Sequence, residues 1–374
     1  MTDGEVTARR ILRAVAWPLA VALLVAVAQV SAWAGSEVTF PRPADVEPNV
    51  QFWVKVFTQY SYRDFVVHDR DDVSRVYQVM HLPGEGGPSG ADIAWTNAYL
   101  KAKYGDILNR LASGAQPASF EERQVAALFH HASPSTYAQA AQNLRVQQGL
   151  RERFREGLLR SRYYRPTMER IFRDAGLPVE LVTLAEVESG FYPGARSSAG
   201  AVGIWQFTRS TGKQYMRINS RYDERLNPVR ETEAAAQLLR YNYDVLGDWP
   251  LAITAYNYGT AGMARAAERY DNNYSRIFKD FDGPHFGFAS KNYYSEFLAA
   301  VQIYRHEDQY FPGIQYESVN PPRQPSAVLH HARSLHHSRS RRYARRHHAF
   351  HRHRARACTG RCTVTKRSSR LAER

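Results

Sequence analysis

The chain has 374 residues, with 50 Lys or Arg against 36 Asp or Glu and a formal charge of +14. The excess is local: residues 323–374 hold fifteen Lys or Arg and one acid, Glu373, which leaves 35 basic and 35 acidic residues in the rest. The high isoelectric point therefore describes a tail rather than a fold, and the only cysteines, Cys358 and Cys362, lie in that tail, so the body needs no disulfide.

Arg9, Arg10 and Arg13 precede an uncharged stretch from Ala14 to Ser36, with Ala32-Trp33-Ala34 as a small-x-small site before Gly35. This is the layout of a secretory signal peptide over residues 1–34. An uncleaved anchor is the other reading, since Ala14 to Val30 is just long enough to span a bilayer. No cysteine lies near this stretch to take a lipid.

Residues 37–48 carry three prolines and read as extended. Val50 to Tyr60 reads as a short amphipathic helix. Phe65-Val66-Val67 and Val73 to Met80 flank the charged turn Asp69-Arg70-Asp71-Asp72 and predict a β-hairpin. Pro83 to Gly90 is a loop by composition. Beyond it the pattern is helical. Ile93 to Leu111 is amphipathic, Ser119-Phe120-Glu121-Glu122 opens a capped helix, Ser135 to Arg160 reads as one long charged helix, and Pro166 to Ala175 leads onward. His130 and His131 are adjacent and point apart on a helix, which favours surface or core roles over a metal site. Residues 37–165 are thus expected to form a helical accessory region packed against the domain that begins at residue 166.

The stretch Gly176 to Phe207 carries the chemistry. Pro178 suits a first helical position, and Leu181, Leu184 and Val187 recur at helical spacing. Glu188 shares their face, four residues after Leu184, and Gly190 is the expected stop. A carboxyl partly desolvated at the end of a buried helix gains a raised pKa, which suits a general acid. Glu180 falls in a first turn and Glu186 lies about 200° around the helix from Glu188; both read as structural. Ser197 to Gly203 is a run of small residues with two glycines that let a ligand approach the backbone. Ile204-Trp205-Gln206-Phe207 restores bulk and adds one amide able to read a polar substrate.

Arg209 to Arg221 begins a helix out of this loop. Tyr222-Asp223-Glu224-Arg225 with Asn227-Pro228 makes a charged turn, and Thr232 to Leu246 is an amphipathic helix closed by Gly247. A further helix begins at Trp249 and ends in Ala255-Tyr256-Asn257-Tyr258-Gly259, where a Tyr-Asn pair in an apolar setting needs partners. Ala289 to His306 has Phe297, Ala300, Val301 and Tyr304 at core spacing and Glu296 as the one candidate second carboxylate. After Pro312, a linker with Pro321, Pro322 and Pro325 leads into a segment rich in Arg, His and Ser, expected to be disordered and solvated. Its charge would also attract an anionic surface, either wall-peptide carboxylates or acidic lipid headgroups. Cys358 and Cys362 could close a small disulfide loop or join histidines on a metal.

Glu188-Ser189, Ser197, Gly203-Ile204-Trp205-Gln206 and Ala255-Tyr256-Asn257-Tyr258-Gly259 together resemble the ES, GLMQ and AYNxG motifs of the lytic transglycosylases, lysozyme-like enzymes that cut bacterial peptidoglycan. The membrane-bound D-type branch is similar, although this chain lacks a lipobox and visible LysM repeats. The resemblance is strongest from Gly176 to Gly262 and weaker from Phe40 to Ile314. It implies a mainly α fold, with an α+β lysozyme-like catalytic domain over 166–314, the N-terminal helical extension over 37–165, and the linker and disordered basic tail over 315–374. It implies cleavage of the β-1,4 bond between N-acetylmuramic acid and N-acetylglucosamine, leaving 1,6-anhydromuramic ends, with Glu188 as acid and then base. Ser197, Gly203, Gln206, Tyr256 and Asn257 would frame the substrate, with Tyr256 aiming its hydroxyl toward Glu188. The partner would be peptidoglycan glycan strands in the periplasm. Metal, cofactor and nucleic acid are not expected. A lysozyme using water on the same bond and a non-catalytic wall-binding protein are the alternatives.

Overall fold

The computed structural model describes residues 39–130 and 132–316. The expected leader 1–34, His131, and the basic tail with Cys358 and Cys362 lie outside the described residues.

Helix α1 (Glu47–Thr58) carries Pro48 in its first turn, where a missing N–H costs nothing. It buries Val50, Phe52, Trp53, Val54, Val56 and Phe57. A helix apolar around most of its girth has to be central, and α1 runs through the larger of two cores. The expected hairpin forms from β1 (Asp64–Asp69) and β2 (Val76–His81), antiparallel. Helices α2 (Gly90–Ala112) and α3 (Phe120–Ala127) come next, each opened by a serine capping box, at Ser89 and Ser119.

Ser135 to Arg160 is not one helix. It divides into α4 (Pro134–Gln142), β3 (Leu144–Gln148) and the start of α5 (Arg151–Asp174). The reason is tertiary: β1 is the central strand of a β2-β1-β3 sheet, and β3 satisfies the N–H and C=O groups on its second edge. The accessory region is therefore helical with a three-stranded sheet inside it. Because strand residues alternate in direction, the sheet separates two cores. Phe65 and Val67 enter the smaller one with Leu100, Tyr104 and Leu108, while Val66 enters the larger.

The boundary expected between residues 165 and 166 falls within α5, which runs unbroken through Pro166. An interior proline costs about 3 kcal/mol. Here it lies on the exposed face, while Phe154, Leu158, Tyr164, Met168 and Phe172 are buried on the other. The helix expected from Pro178 starts instead as a 3-10 turn, Val179–Thr183, and becomes α-helical only in α6 (Leu184–Ser189).

The remaining helices are α7 (Arg209–Tyr215), α8 (Pro228–Leu246), α9 (Trp249–Tyr258), α10 (Thr260–Arg269), α11 (Tyr274–Asp280), α12 (Phe288–Arg305) and α13 (Glu307–Tyr310). Of these, α12 packs against α1, α6 and α9. Its Asn292 Oδ1 accepts from Asn49 Nδ2 at 2.8 Å and Trp53 Nε1 at 3.0 Å, which fixes the rotation of α12 against α1. The fold is mainly α, as the motif pattern implied. No helix among the described residues is long and apolar enough to cross a membrane.

Candidate active site

Glu188 lies in the last turn of α6, and Gly190 ends that helix in the left-handed region at φ 59°, where a residue without Cβ is unstrained. The Tyr293 hydroxyl of α12 donates to Glu188 Oε1 at 2.5 Å. Arg153 of α5 donates to the Glu188 backbone carbonyl at 3.3 Å. Burial pushes the Glu188 carboxyl up to about 7; the Tyr293 hydrogen bond and the Arg153 charge, which favour the carboxylate, offset part of that rise. Glu188 is only partly buried, so some of its surface is reachable from solvent. A carboxyl protonated near neutrality and open to a substrate can serve as a general acid.

The neighbouring acids are committed elsewhere. Glu186 faces away from Glu188, as its position on the helix predicts, and accepts from the Tyr304 hydroxyl at 2.9 Å. It is 4% exposed, and burial pushes it up to about 8. Glu180 pairs with Arg305 at 3.2 Å at the surface.

The small-residue loop is built by its own polar atoms. Isolated bridges join Arg196 to Val202 and Val202 to Phe207. Ser197 Oγ accepts from the Ala201 N–H at 3.0 Å, and Gln206 Nε2 donates to the Gly203 carbonyl at 2.9 Å. Gly203 sits at φ 90°, and a Cβ there would lie 2.1 Å from the Arg225 carbonyl and 2.3 Å from Glu231 Oε1. Its lack of a side chain thus serves internal packing. The Tyr256 hydroxyl donates to the Trp205 carbonyl at 2.9 Å, so the hydroxyl on Glu188 is that of Tyr293. The two rings are parallel, with centroids 6.3 Å apart. Asn257 is exposed and its Oδ1 accepts from Ser290 Oγ at 2.7 Å, tying the end of α9 to the start of α12.

Three further residues matter that the sequence does not single out. Glu231 of α8 is 1% exposed and accepts from the Ile204 and Trp205 N–H groups at 2.8 and 2.9 Å. Burial pushes its carboxyl well up against the pull of those two bonds. Arg225 pairs with Asp223 at 2.7 Å and donates to the Gly200 and Phe207 carbonyls. Tyr293 is the third. Glu231 and Tyr293 carry no local signal, since each is an ordinary helix residue whose partner lies far along the chain, whereas Arg225 pairs with Asp223 within its own turn. Asp223 and Glu224 act in the turn, where Asp223 caps the 3-10 turn Glu224–Leu226.

Residues 169–278, which hold Glu188, the loop and the Tyr256-Asn257 pair, match the transglycosylase SLT domain. The chain is also similar to membrane-bound lytic murein transglycosylase D from two Escherichia coli strains, at 36% identity over 136 residues. That alignment takes in 36% of this chain and 30% of the relatives, so the chain spans about a third of their length. A solved structure of an inactive mutant of lytic transglycosylase Slt from Pseudomonas aeruginosa aligns with a TM-score of 0.32 and 18% identity, over 55% of this chain and 31% of that one. A likeness that slight carries no argument. The SLT match and the D-type similarity agree with the family resemblance of the motifs.

Proposed function

We propose that this chain is a peptidoglycan lytic transglycosylase, cleaving the β-1,4 bond between N-acetylmuramic acid and N-acetylglucosamine and leaving 1,6-anhydromuramic ends. The observation that carries the reading is Glu188 itself: a partly buried carboxyl, raised to about 7, inside the segment that matches the SLT domain. Glu188 gives its proton to the leaving oxygen as positive charge builds at the anomeric carbon. The sugar's own 6-hydroxyl then attacks that carbon, and Glu188, now a carboxylate, takes the hydroxyl proton, so one residue serves as acid and then base. The attack is intramolecular and gains from a high effective molarity.

The Tyr293 hydroxyl supports the second half of this cycle, because its hydrogen bond favours the ionised form of Glu188. Ser197, Gly203 and Gln206 shape the loop beside Glu188, Tyr256 braces that loop through the Trp205 carbonyl, and Asn257 ties α9 to α12. The substrate is the glycan strand of the cell wall, which places the protein outside the cytoplasm. Residues 166–314 form the catalytic domain in this reading, and 37–165 the accessory region packed on it.

The test is digestion of purified peptidoglycan in ¹⁸O-labelled water. Intramolecular attack gives anhydro ends with no ¹⁸O, whereas a lysozyme puts ¹⁸O on every new reducing end. Binding to the wall without any release of fragments would leave a wall-binding protein.

A further inference from the structure

Helix α12 carries a second carboxyl toward the same cleft. Tyr293, which touches Glu188, and Glu296 are one helical turn apart, so they are neighbours on the helix surface. Asn292, which faces α1, fixes the rotation: at 100° per residue Glu296 falls between the Asn292 and Tyr293 directions. Among the described residues Glu296 makes no hydrogen bond and no ion pair, in contrast to Glu186, Glu188 and Glu231. It is only partly buried, and its oxygens are not among the sealed, unpartnered atoms of the core. A partly buried carboxyl without a protein partner has its hydrogen-bonding capacity free for a ligand.

The groups that face it come from three other elements. They are Glu188 of α6, Arg153 of α5 and Arg145 of β3, together with Tyr293 on its own helix. Burial, then the charge of Glu188, pushes Glu296 up to about 8, while Arg145 and Arg153 pull it down. Arg145 is placed by the sheet. It stands opposite His68 in the β1–β3 register, lies 3.9 Å over the Phe288 ring at the start of α12, and leaves its buried Nε without a partner. Two carboxyls in one partly desolvated cleft do not both ionise readily, so one proton is retained when Glu188 gives up its own.

We propose that Glu296 is a substrate-binding carboxyl of this cleft, which donates a hydrogen bond to the N-acetylated sugar lying across Glu188. The accessory sheet, through Arg145, sets the pH at which that donor is lost. The inference rests on the proposed activity for its substrate. It also argues against Glu296 as a base for water, because a protonated acid cannot take a proton.

The experiment is steady-state cleavage of peptidoglycan glycan strands by the full chain between pH 6 and pH 9, with KM and kcat read separately. In wild type, KM is expected to rise as pH passes about 8, above the pH at which kcat begins to fall. Glu296→Ala removes the donor and is expected to raise KM roughly threefold to tenfold at every pH. Glu296→Gln keeps an N–H donor that cannot ionise, and its KM is expected to lose the rise. Arg145→Met removes a cation that favours the ionised form, so the rise moves to higher pH. A flat wild-type KM, or an unchanged KM in Glu296→Ala, would overturn the proposal.

A ¹³C-carboxyl NMR titration of the same proteins separates this failure from failure of the proposed activity. If no strand is cut by wild type but Glu296 titrates above pH 7 and moves up in Arg145→Met, the activity reading fails and the protonated carboxyl stands. Glu296 already ionised at pH 7 would refute the donor whatever the activity.

Discussion

The Tyr293 hydroxyl meets the Glu188 carboxyl at 2.5 Å although 105 positions separate them in the chain. This contact joins the last turn of α6 to the second turn of α12, and it couples the proposed acid to the helix that packs against α1, α6 and α9. Its energetic sign is defined: a donor on a carboxylate stabilises the ionised form, while burial opposes it.

Tyr293→Phe should therefore push Glu188 further above 7, since the opposing burial is left intact. The alkaline limb of the kcat profile is expected to move to higher pH. At the optimum kcat should fall about tenfold, the loss of a single hydrogen bond to a charged group. An unchanged limb with an intact fold would mean that the Tyr293 contact does not govern the acid.

Glu186 makes a stability prediction with a pH window. Its ordinary value is 4.5 and burial raises it to about 8 in the fold. A carboxyl raised on folding contributes stability that is fully present below about pH 4.5 and is lost as pH climbs toward 8. Glu186→Gln has no such loss. Its unfolding free energy should fall less than that of wild type between pH 5 and pH 8, by on the order of 3 kcal/mol. Parallel curves from urea melts at the two pH values would contradict this.

Much of this is legible from residues in order, and the exceptions share a cause. The hairpin around Asp69-Arg70, the capped start at Ser119, the Gly190 stop and the opposite facing of Glu186 and Glu188 are local patterns, and local geometry decides them. Leu144 to Gln148 reads as helix in sequence, but its strand state is imposed by the free edge of β1. Pro166 lies inside α5, whose buried face carries the helix through it. Tyr293 and Glu231 escape a reading in chain order because their partners lie 105 and 27 or fewer positions away, and nothing beside them in the chain marks the contact.

Gly203→Ala should be severe for two independent reasons. The residue sits at φ 90°, and its Cβ would meet the Arg225 carbonyl at 2.1 Å. Backbone strain and overpacking together predict a loss of about 2–5 kcal/mol, read as a lower denaturation midpoint. Displacing the carbonyl would also disturb the two N–H bonds from Ile204 and Trp205 to Glu231. A variant with wild-type stability would show that the loop is not held as described.

Gly157→Ala tests the floor beneath Glu186, since its Cβ would lie 1.9 Å from Glu186 Oε1. Alone it should destabilise by about 1–3 kcal/mol. Combined with Glu186→Ala the clash disappears, so the two changes should be strongly non-additive. Additive losses in the double-mutant cycle would place the two residues apart.

The central claim is that one carboxyl, Glu188, performs both proton transfers in a reaction that needs no water. It is tested most directly by mass spectrometry of the fragments released from purified peptidoglycan by wild type and by Glu188→Gln. The account predicts anhydro-ended fragments from wild type and none from the variant, with binding to the wall retained by both. Hydrated ends from wild type, or undiminished anhydro products from Glu188→Gln, would contradict it.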